Sequence, residues 1–299
     1  MNRNALVLLG VLVSALTAQA ANIALVSFHS DAGGLPSAAA AGAGMTTAAD
    51  IGYSSLLTAN GHTVTRFASK DLPTAADATT YNGYDLIILS RSVASGHYQQ
   101  AAETIFWNST ITKPVISLGG YINRQNRLGL MDGNTIPDTT GNVALSVLNP
   151  SHPIFAGIAL DGGNLMVNSY AGIATFNSTV QRGISVVTGS LTNGVTLATV
   201  GTASDPAFGG MVIGEWQAGA KTSDAGAEIL GGHRLVFLTG SREHNGAPTS
   251  EIAGIYDLTA DGQAMFLNAV TYMAVIPEPS TYALLGIGAL ALIFRWRKA

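Results

Sequence analysis

The chain has 299 residues, of which 47% are hydrophobic and only 11% are charged. This composition offers ample apolar material for a packed core and excludes an intrinsically disordered protein. The formal charge of −4 comes without a basic stripe, which argues against nucleic acid as a partner. Cysteine is absent, so disulfides, thiolate-bound metals and a cysteine nucleophile are excluded.

The N-terminus has the three parts of a secretory signal peptide. A basic residue precedes the apolar run 5–16, and Ala18 and Ala20 give the small-x-small pattern of a cleavage site. The run is shorter than the roughly 17–25 residues that a membrane-spanning helix needs. We predict that signal peptidase removes residues 1–20 and leaves Ala21 first. The alternative, a buried N-terminal helix, is disfavoured because a strand pattern follows at once.

The next hundred residues alternate between strand and helix patterns. Continuous short apolar runs are typical of strands buried on both faces of a parallel sheet. Strands are predicted at residues 23–28, 62–67, 85–90 and 114–118, and helices at residues 47–60 and 97–107. This order predicts parallel crossover units.

The second half of the exported region is less regular. Segments 184–188, 195–200 and 211–214 predict an antiparallel extension of the sheet, and residues 234–238 predict another buried strand. A helix over residues 259–274 follows, capped by Thr259, with an apolar stripe of Phe266, Leu267, Val270 and Met273. We therefore predict one flavodoxin-like α/β domain over residues 21–274, with a mostly parallel sheet flanked by helices. The organisation of residues 125–230 stays open.

The C-terminal segment, residues 275–299, also has three parts. The box Pro277-Glu278-Pro279 cannot continue a helix, so it is predicted to be extended and accessible. An apolar run at 282–294 predicts a membrane helix, and the basic residues 295–298 predict a cytoplasmic end.

This tripartite end resembles the PEP-CTERM sorting signal of exported bacterial proteins, over residues 275–298. The resemblance implies cleavage near the box by an exosortase, in a bacterium that makes exopolysaccharide. It implies an intermediate anchored in the inner membrane, and then a place at the cell surface or outside the cell. The alternative is an ordinary single-pass membrane anchor.

The exported region resembles the class I glutamine-amidotransferase-like fold, in its trehalose-utilisation-type branch. The residues that carry the likeness are the strand 85–90 and the segments 151–157 and 258–263. The family places a cysteine on the turn after a central strand, where this chain has Gly119-Gly120-Tyr121. The resemblance therefore implies the fold but excludes glutamine hydrolysis.

The exported region is more acidic than the whole chain. Both ends together remove four of the 14 basic residues and only Glu278 of the 18 acidic ones, so residues 21–274 carry a formal charge of −7. This charge repels anionic lipids and polyanions at long range, and it does not identify a partner.

Polar and charged residues gather where the predicted strands end. Doubly wound sheets bind ligands beyond the carboxyl ends of their strands, and an aromatic ring beside hydrogen-bonding charges suits a sugar. The candidate ligand cleft consists of His29, Asp31, Arg91, Tyr121, Arg124, Glu215, Trp216, Arg242, Glu243 and His244. The alternative is that these residues only solvate loops.

Catalytic, metal and cofactor motifs are weak throughout. The sequence has no G-x-S-x-G elbow, and a carboxylate pair for glycoside hydrolysis could come only from Asp31, Glu215 and Glu243. A metal site would need His29 and Asp31 with dispersed histidines such as His97, His152 and His244, without a ligand spacing of a known metal motif. No dinucleotide or phosphate loop is complete. We therefore predict no catalytic residue, metal or cofactor.

The sequence leaves three hypotheses of function. The first is a non-catalytic surface or matrix protein with a cleft for carbohydrate. The second is a carbohydrate-active hydrolase on the same fold, and the third is a purely structural envelope protein.

Overall fold

A computed structural model describes residues 20–223 and 226–274 of the protein. In chain order the strands are β1 (Asn22–Ser27), β2 (Thr63–Ala68), β3 (Leu86–Leu89), β4 (Val115–Ser117), β5 (Leu145–Val147), β6 (Thr175–Phe176), β7 (Thr179–Val180), β8 (Val195–Val200), β9 (Met211–Trp216) and β10 (Arg234–Phe237). The helices are α1 (Ala38–Gly42), α2 (Ile51–Ala59), α3 (Ala75–Tyr81), α4 (Ala101–Ile105), α5 (Gly120–Asn123) and α6 (Ala260–Ala274). The predicted signal peptide up to residue 19, the Pro277-Glu278-Pro279 box and the apolar segment 282–294 lie outside the described residues.

Eight strands form one sheet in the order β2-β1-β3-β4-β10-β9-β8-β5, and β6 pairs with β7 in a small hairpin. The first five strands of this order are parallel neighbours, and the last four pair antiparallel from β10 onward. Residues of β1 and β3 are almost wholly buried, as their continuous apolar sequences predict. The mixed α/β fold and its antiparallel extension are confirmed.

The direction of each strand decides which side chains meet. Strands β1, β3, β4 and β10 all end at one edge of the sheet, which we call the carboxyl edge; the opposite edge is the amino edge. Strand β9 runs in the opposite direction to β10, because its last residue, Trp216, lies opposite Arg234, the first residue of β10. Residues that follow β9 therefore lie at the amino edge.

Some predicted elements differ from the structure. The helix predicted at 97–107 is a short 3₁₀ turn at Ser95–Tyr98, then α4, then a π-helical turn at Phe106–Thr110. Helix α4 begins only at Ala101 because Gln100 and Glu103 form a capping box before it. The segment predicted at 184–188 forms isolated bridges instead of a strand.

The helix predicted at the end of the exported region is confirmed. Helix α6 buries Phe266, Val270 and Met273 against the sheet, as the apolar stripe predicts, and Leu267 is partly buried. The side-chain oxygen of Thr259 accepts the backbone N–H of Gly262, so Thr259 caps the helix. Helix α3, β5 and the short helices α1 and α5 were not predicted.

Candidate functional site

Four arginines converge at the carboxyl edge of the sheet. Arg91 follows β3, Arg124 follows α5 and Arg242 follows β10, while Arg182 comes from the irregular segment before β8. We call Arg91, Arg124, Arg182 and Arg242 the arginine cluster. Parallel strands bring Arg91, Arg124 and Arg242 together because their carboxyl ends share one edge, and a backbone bridge to Arg242 places Arg182 beside them.

Tyr121 is the centre of this cluster. The guanidinium carbons of Arg91, Arg124 and Arg242 lie 5.0, 5.2 and 4.8 Å from the centroid of its ring. Arg124 also donates from Nε to the backbone oxygen of Tyr121, at 3.0 Å. Each such cation–π contact contributes about 0.5–2 kcal/mol, depending on its desolvation. The ring therefore serves as a platform for arginines, where the sequence suggested a platform for sugar.

Two carboxylates hold the cluster together. Arg242 donates from Nη1 to both oxygens of Asp138, at 3.0 and 3.3 Å. Arg182 donates from Nη2 to Oε1 of Glu243 at 3.2 Å, and from Nε to its backbone oxygen at 2.7 Å. Nη2 of Arg91 lies 3.7 Å from Oε2 of Glu243. Three of the four guanidinium groups thus lie at ion-pair distance from these two carboxylates.

A cavity of about 140 Å³ opens beside these groups. It is lined by Arg91, Val93, Ala94, Ser95, Tyr121, Arg242, Glu243 and Ser250. The side chain of Arg91 is only 8% exposed, and its Nε has no hydrogen-bond partner among the described residues. Oε2 of Glu243 is likewise buried without a hydrogen-bond partner in the described part of the chain. Burial lowers the pKa of Arg91, and the charge of Glu243 opposes this shift.

Three other predicted cleft residues lie at the carboxyl edge with partners of their own. His29 is buried; its Nδ1 accepts the backbone N–H of Ser37 at 3.0 Å, so Nε2 carries the proton and donates to Oγ of Ser92 at 3.1 Å. Burial lowers the pKa of His29 and favours this neutral form. Asp31 is exposed and caps a turn by accepting the N–H groups of residues 33 and 35. His244 bonds to Gln181.

Glu215 and Trp216 do not belong to this cleft. Both end β9 and lie at the amino edge, since β9 runs antiparallel to β10. Trp216 is 1% exposed and donates from Nε1 to the backbone oxygen of Thr192 at 3.0 Å. The expectation that they share a cleft with Tyr121 is therefore wrong, because strand direction was not evident from the sequence.

Glu215 instead joins a buried cluster at the amino edge. It lies 2.6 Å from Nε2 of His233 and 3.4 Å from Nε2 of His152, and it accepts the hydroxyl of Tyr272 at 2.6 Å. Burial raises the pKa of Glu215, but its interactions with His152, His233 and Tyr272 outweigh this effect and hold the pKa well below its usual value. This buried cluster around Glu215 joins β9, β10 and α6, so its side chains have a packing role.

The three carboxylates considered for glycoside hydrolysis have three separate sets of partners. Asp31 caps a turn, Glu215 lies at the amino edge, and Glu243 pairs with arginines. The hydrolase alternative stays a prediction. Within residues 20–223 and 226–274, no group of three His, Asp or Glu side chains is arranged to hold a metal ion.

Position 120, in the turn after β4, has no room for a side chain. A Cβ atom at Gly120 would lie 2.1 Å from the backbone oxygen of Ser185. Any side chain here would force the backbone apart, so the glycine is a packing requirement. A cysteine at position 120 would therefore clash with the backbone of Ser185.

The sequence did not identify Asp138 and Arg182. Both come from irregular segments that cross the carboxyl edge, and a backbone bridge joins Arg182 to Arg242. Neither residue directly follows a predicted strand. The only available signal was the scarcity of charge: Arg182 is one of just ten basic residues in 21–274.

Comparison with known proteins identifies the C-terminal segment. Residues 275–298 match the family model described as the PEP-CTERM protein-sorting motif. The predicted sorting motif is confirmed, and it supports an exported, surface-directed protein that an exosortase sorts. No curated protein matches the chain. In the described ranges no helix has both the length and the hydrophobicity to cross a membrane.

Several solved structures are similar to this chain, and one of them is similar over most of its length. It is the crystal structure of a putative ThuA-like protein from Bacteroides uniformis ATCC 8492, with a TM-score of 0.49 and 12% sequence identity. The alignment covers 89% of this chain and 97% of that one. The strand order and register of this protein define its fold.

Proposed function

We propose that the protein is a non-catalytic surface or extracellular-matrix protein that binds carbohydrate at the carboxyl edge of its sheet. Its sorting motif supports export. In this proposal, signal peptidase cleaves after Ala20, the segment 282–294 holds an intermediate in the inner membrane, and exosortase releases the domain 21–274 near the Pro277-Glu278-Pro279 box.

The observation that carries the binding proposal is the cavity beside Tyr121. It lies where open α/β sheets bind ligands, and hydrogen-bonding side chains and one aromatic ring line it. The groups around it are held in place by ion pairs and by stacking on the ring. A fixed set of donors lowers the ordering cost of binding.

The test is calorimetric titration of the protein recovered from its host with neutral and acidic extracellular polysaccharides. We expect binding to at least one of them and an affinity at least about tenfold lower in Tyr121→Ala, which corresponds to about 1.4 kcal/mol. The loss follows because Tyr121 supports three guanidinium groups.

Phe208→Ala is the matched aromatic control. Phe208 is 58% exposed and lines a separate groove of about 540 Å³ beside β8 and β9. Binding to no polysaccharide would refute the proposal. Binding that Phe208→Ala abolishes and Tyr121→Ala leaves intact would place the site in the groove and refute the cleft.

A further inference from the structure

The carboxyl-edge cleft carries an excess of positive charge in an acidic protein. The arginine cluster has four guanidinium groups, and the carboxylates of Asp138 and Glu243 neutralise two of them. These four arginines are four of the ten basic residues in 21–274, a region with a formal charge of −7. Such a concentration of positive charge at one place indicates a site for an anion.

Arg91 has hydrogen-bonding capacity that the described residues leave unused. Its side chain is 8% exposed, its Nε is unpartnered within the described chain, and its ion pair with Glu243 is long, at 3.7 Å. A buried donor without a partner costs about 1–3 kcal/mol. Arg91 also lines the cavity, and the planar fork of a guanidinium matches a carboxylate with two hydrogen bonds.

The surroundings of Tyr121 disfavour recognition of a neutral sugar by stacking. Three guanidinium groups lie within 5.2 Å of the centre of its ring, so they compete with a sugar for its faces. Trp216, the other aromatic candidate, is buried at the amino edge. The remaining recognition chemistry in the cleft is charge-assisted hydrogen bonding.

We propose that the arginine cluster binds the carboxylate group of an acidic sugar, so that the ligand is a uronic-acid-containing polysaccharide. This inference rests on the proposed function and names the class of carbohydrate that the cleft takes. The cavity of about 140 Å³ has the volume of roughly five liquid waters, which suits one charged substituent and part of its ring. The long-range repulsion from the rest of the protein is screened beyond about 8 Å at physiological salt.

The test compares two oligosaccharides that differ only in the carboxylate. The protein recovered from its host is titrated with tetragalacturonate and with the same tetrasaccharide after reduction of its carboxyl groups to alcohols. We expect tetragalacturonate to bind at least about tenfold more tightly, since the reduced sugar offers no charge to the arginines. Succinate, a carboxylate without a sugar, is expected to bind at least about tenfold more weakly than tetragalacturonate.

Three variants locate the site. Arg124→Gln removes a guanidinium that stacks on Tyr121 without an ion pair among the described residues, and Arg242→Gln removes one that bonds to Asp138. Both are expected to lower the affinity for tetragalacturonate at least about tenfold. Lys221→Gln is the charge-matched control, because Lys221 is exposed on the hairpin after β9, at the amino edge. It is expected to bind like the natural protein.

The outcomes separate the inference from the proposed function. Equal affinity for both tetrasaccharides, or an equal loss in Lys221→Gln, would overturn the inference and leave carbohydrate binding intact. Succinate binding as tightly as tetragalacturonate would show that the site recognises a carboxylate without its sugar, which also overturns the inference. Binding to no carbohydrate at all would overturn both. If Arg242→Gln fails to fold, Arg124→Gln decides, because the side chain of Arg124 hydrogen-bonds only to the backbone oxygen of Tyr121 among the described residues.

Discussion

Asp257, which is half-buried, holds in place the turn that leads from β10 to Arg242 of the arginine cluster. Its carboxylate accepts hydrogen bonds from the backbone N–H of Gly240 at 3.0 Å and from the hydroxyls of Thr239 and Ser241 at 2.8 and 3.2 Å. These three residues form the turn between β10 and Arg242. Burial raises the pKa of Asp257 to about 6, although these hydrogen bonds act to lower it.

The raised pKa of Asp257 predicts a pH dependence of stability. Between about pH 4 and 6 the carboxyl group of Asp257 binds a proton more tightly in the folded protein than in the unfolded chain. The contribution of Asp257 to the free energy of unfolding is therefore full below about pH 4 and is lost as the pH rises through 6. A pKa that differs by one between the folded and unfolded states corresponds to about 1.4 kcal/mol. Asp257→Asn removes this dependence.

The measurement is urea denaturation of both proteins from about pH 3.5 to 8. The stability of the natural protein minus that of Asp257→Asn should fall between about pH 4 and 6 and be constant above about pH 7. Asp77, whose pKa is lowered to about 2 because hydrogen bonds from Lys70 and Thr74 outweigh burial, is present in both proteins and cancels. A difference that stays constant throughout would contradict the account.

Residues at strand ends could be predicted, and their partners could not. Tyr121 and Arg242 follow buried apolar strands whose ends the sequence marks clearly. Asp138 and Arg182 lie in irregular segments, and only the folded chain brings them to the same edge. The prediction that Glu215 lies at the carboxyl edge was wrong, because an apolar run does not show whether its strand is parallel or antiparallel.

Long-range contacts determine where some helices end, which the local sequence pattern does not show. The π-helical turn Phe106–Thr110 ends where the buried guanidinium of Arg234 donates to the backbone oxygens of Trp107, Asn108 and Ile111. These oxygens would otherwise be unsatisfied at a helix end. Burial lowers the pKa of Arg234 to about 9. The sequence 97–107 predicts a helix, but its partner on β10 is more than a hundred residues away.

The start of α5 is set by close packing. A Cβ at Gly120 would meet the backbone oxygen of Ser185 at 2.1 Å, so Gly120→Ala is expected to lower the free energy of unfolding by about 1–3 kcal/mol. Gly42→Ala is the control, because Gly42 lies in α1 with open space around its Cβ position. That substitution is expected to be neutral or to stabilise by up to about 1 kcal/mol.

Thermal and urea unfolding of both glycine variants checks this prediction. Equal stability of Gly120→Ala and the natural protein would mean that the turn after β4 can open. The space for a nucleophile would then exist, and the packing argument against one at this turn would fail.

In the whole molecule, the local charge at the carboxyl edge is opposite in sign to the net charge. The exported region is acidic overall, yet four of its ten basic residues lie at one edge of the sheet. The parallel half of the sheet was predictable from its buried apolar runs. The scattered bridges of residues 130–190 were not, because short polar segments carry no clear period.

We propose that this protein is exported, cleaved at both ends and released at the cell surface. The most direct test is the intact mass of the protein recovered from its host, with and without active exosortase. We expect a species that begins at Ala21 and lacks the residues after the Pro277-Glu278-Pro279 box, seen only with active enzyme. A species that keeps residues 282–299 in both strains would mean a permanent membrane anchor and would contradict the account.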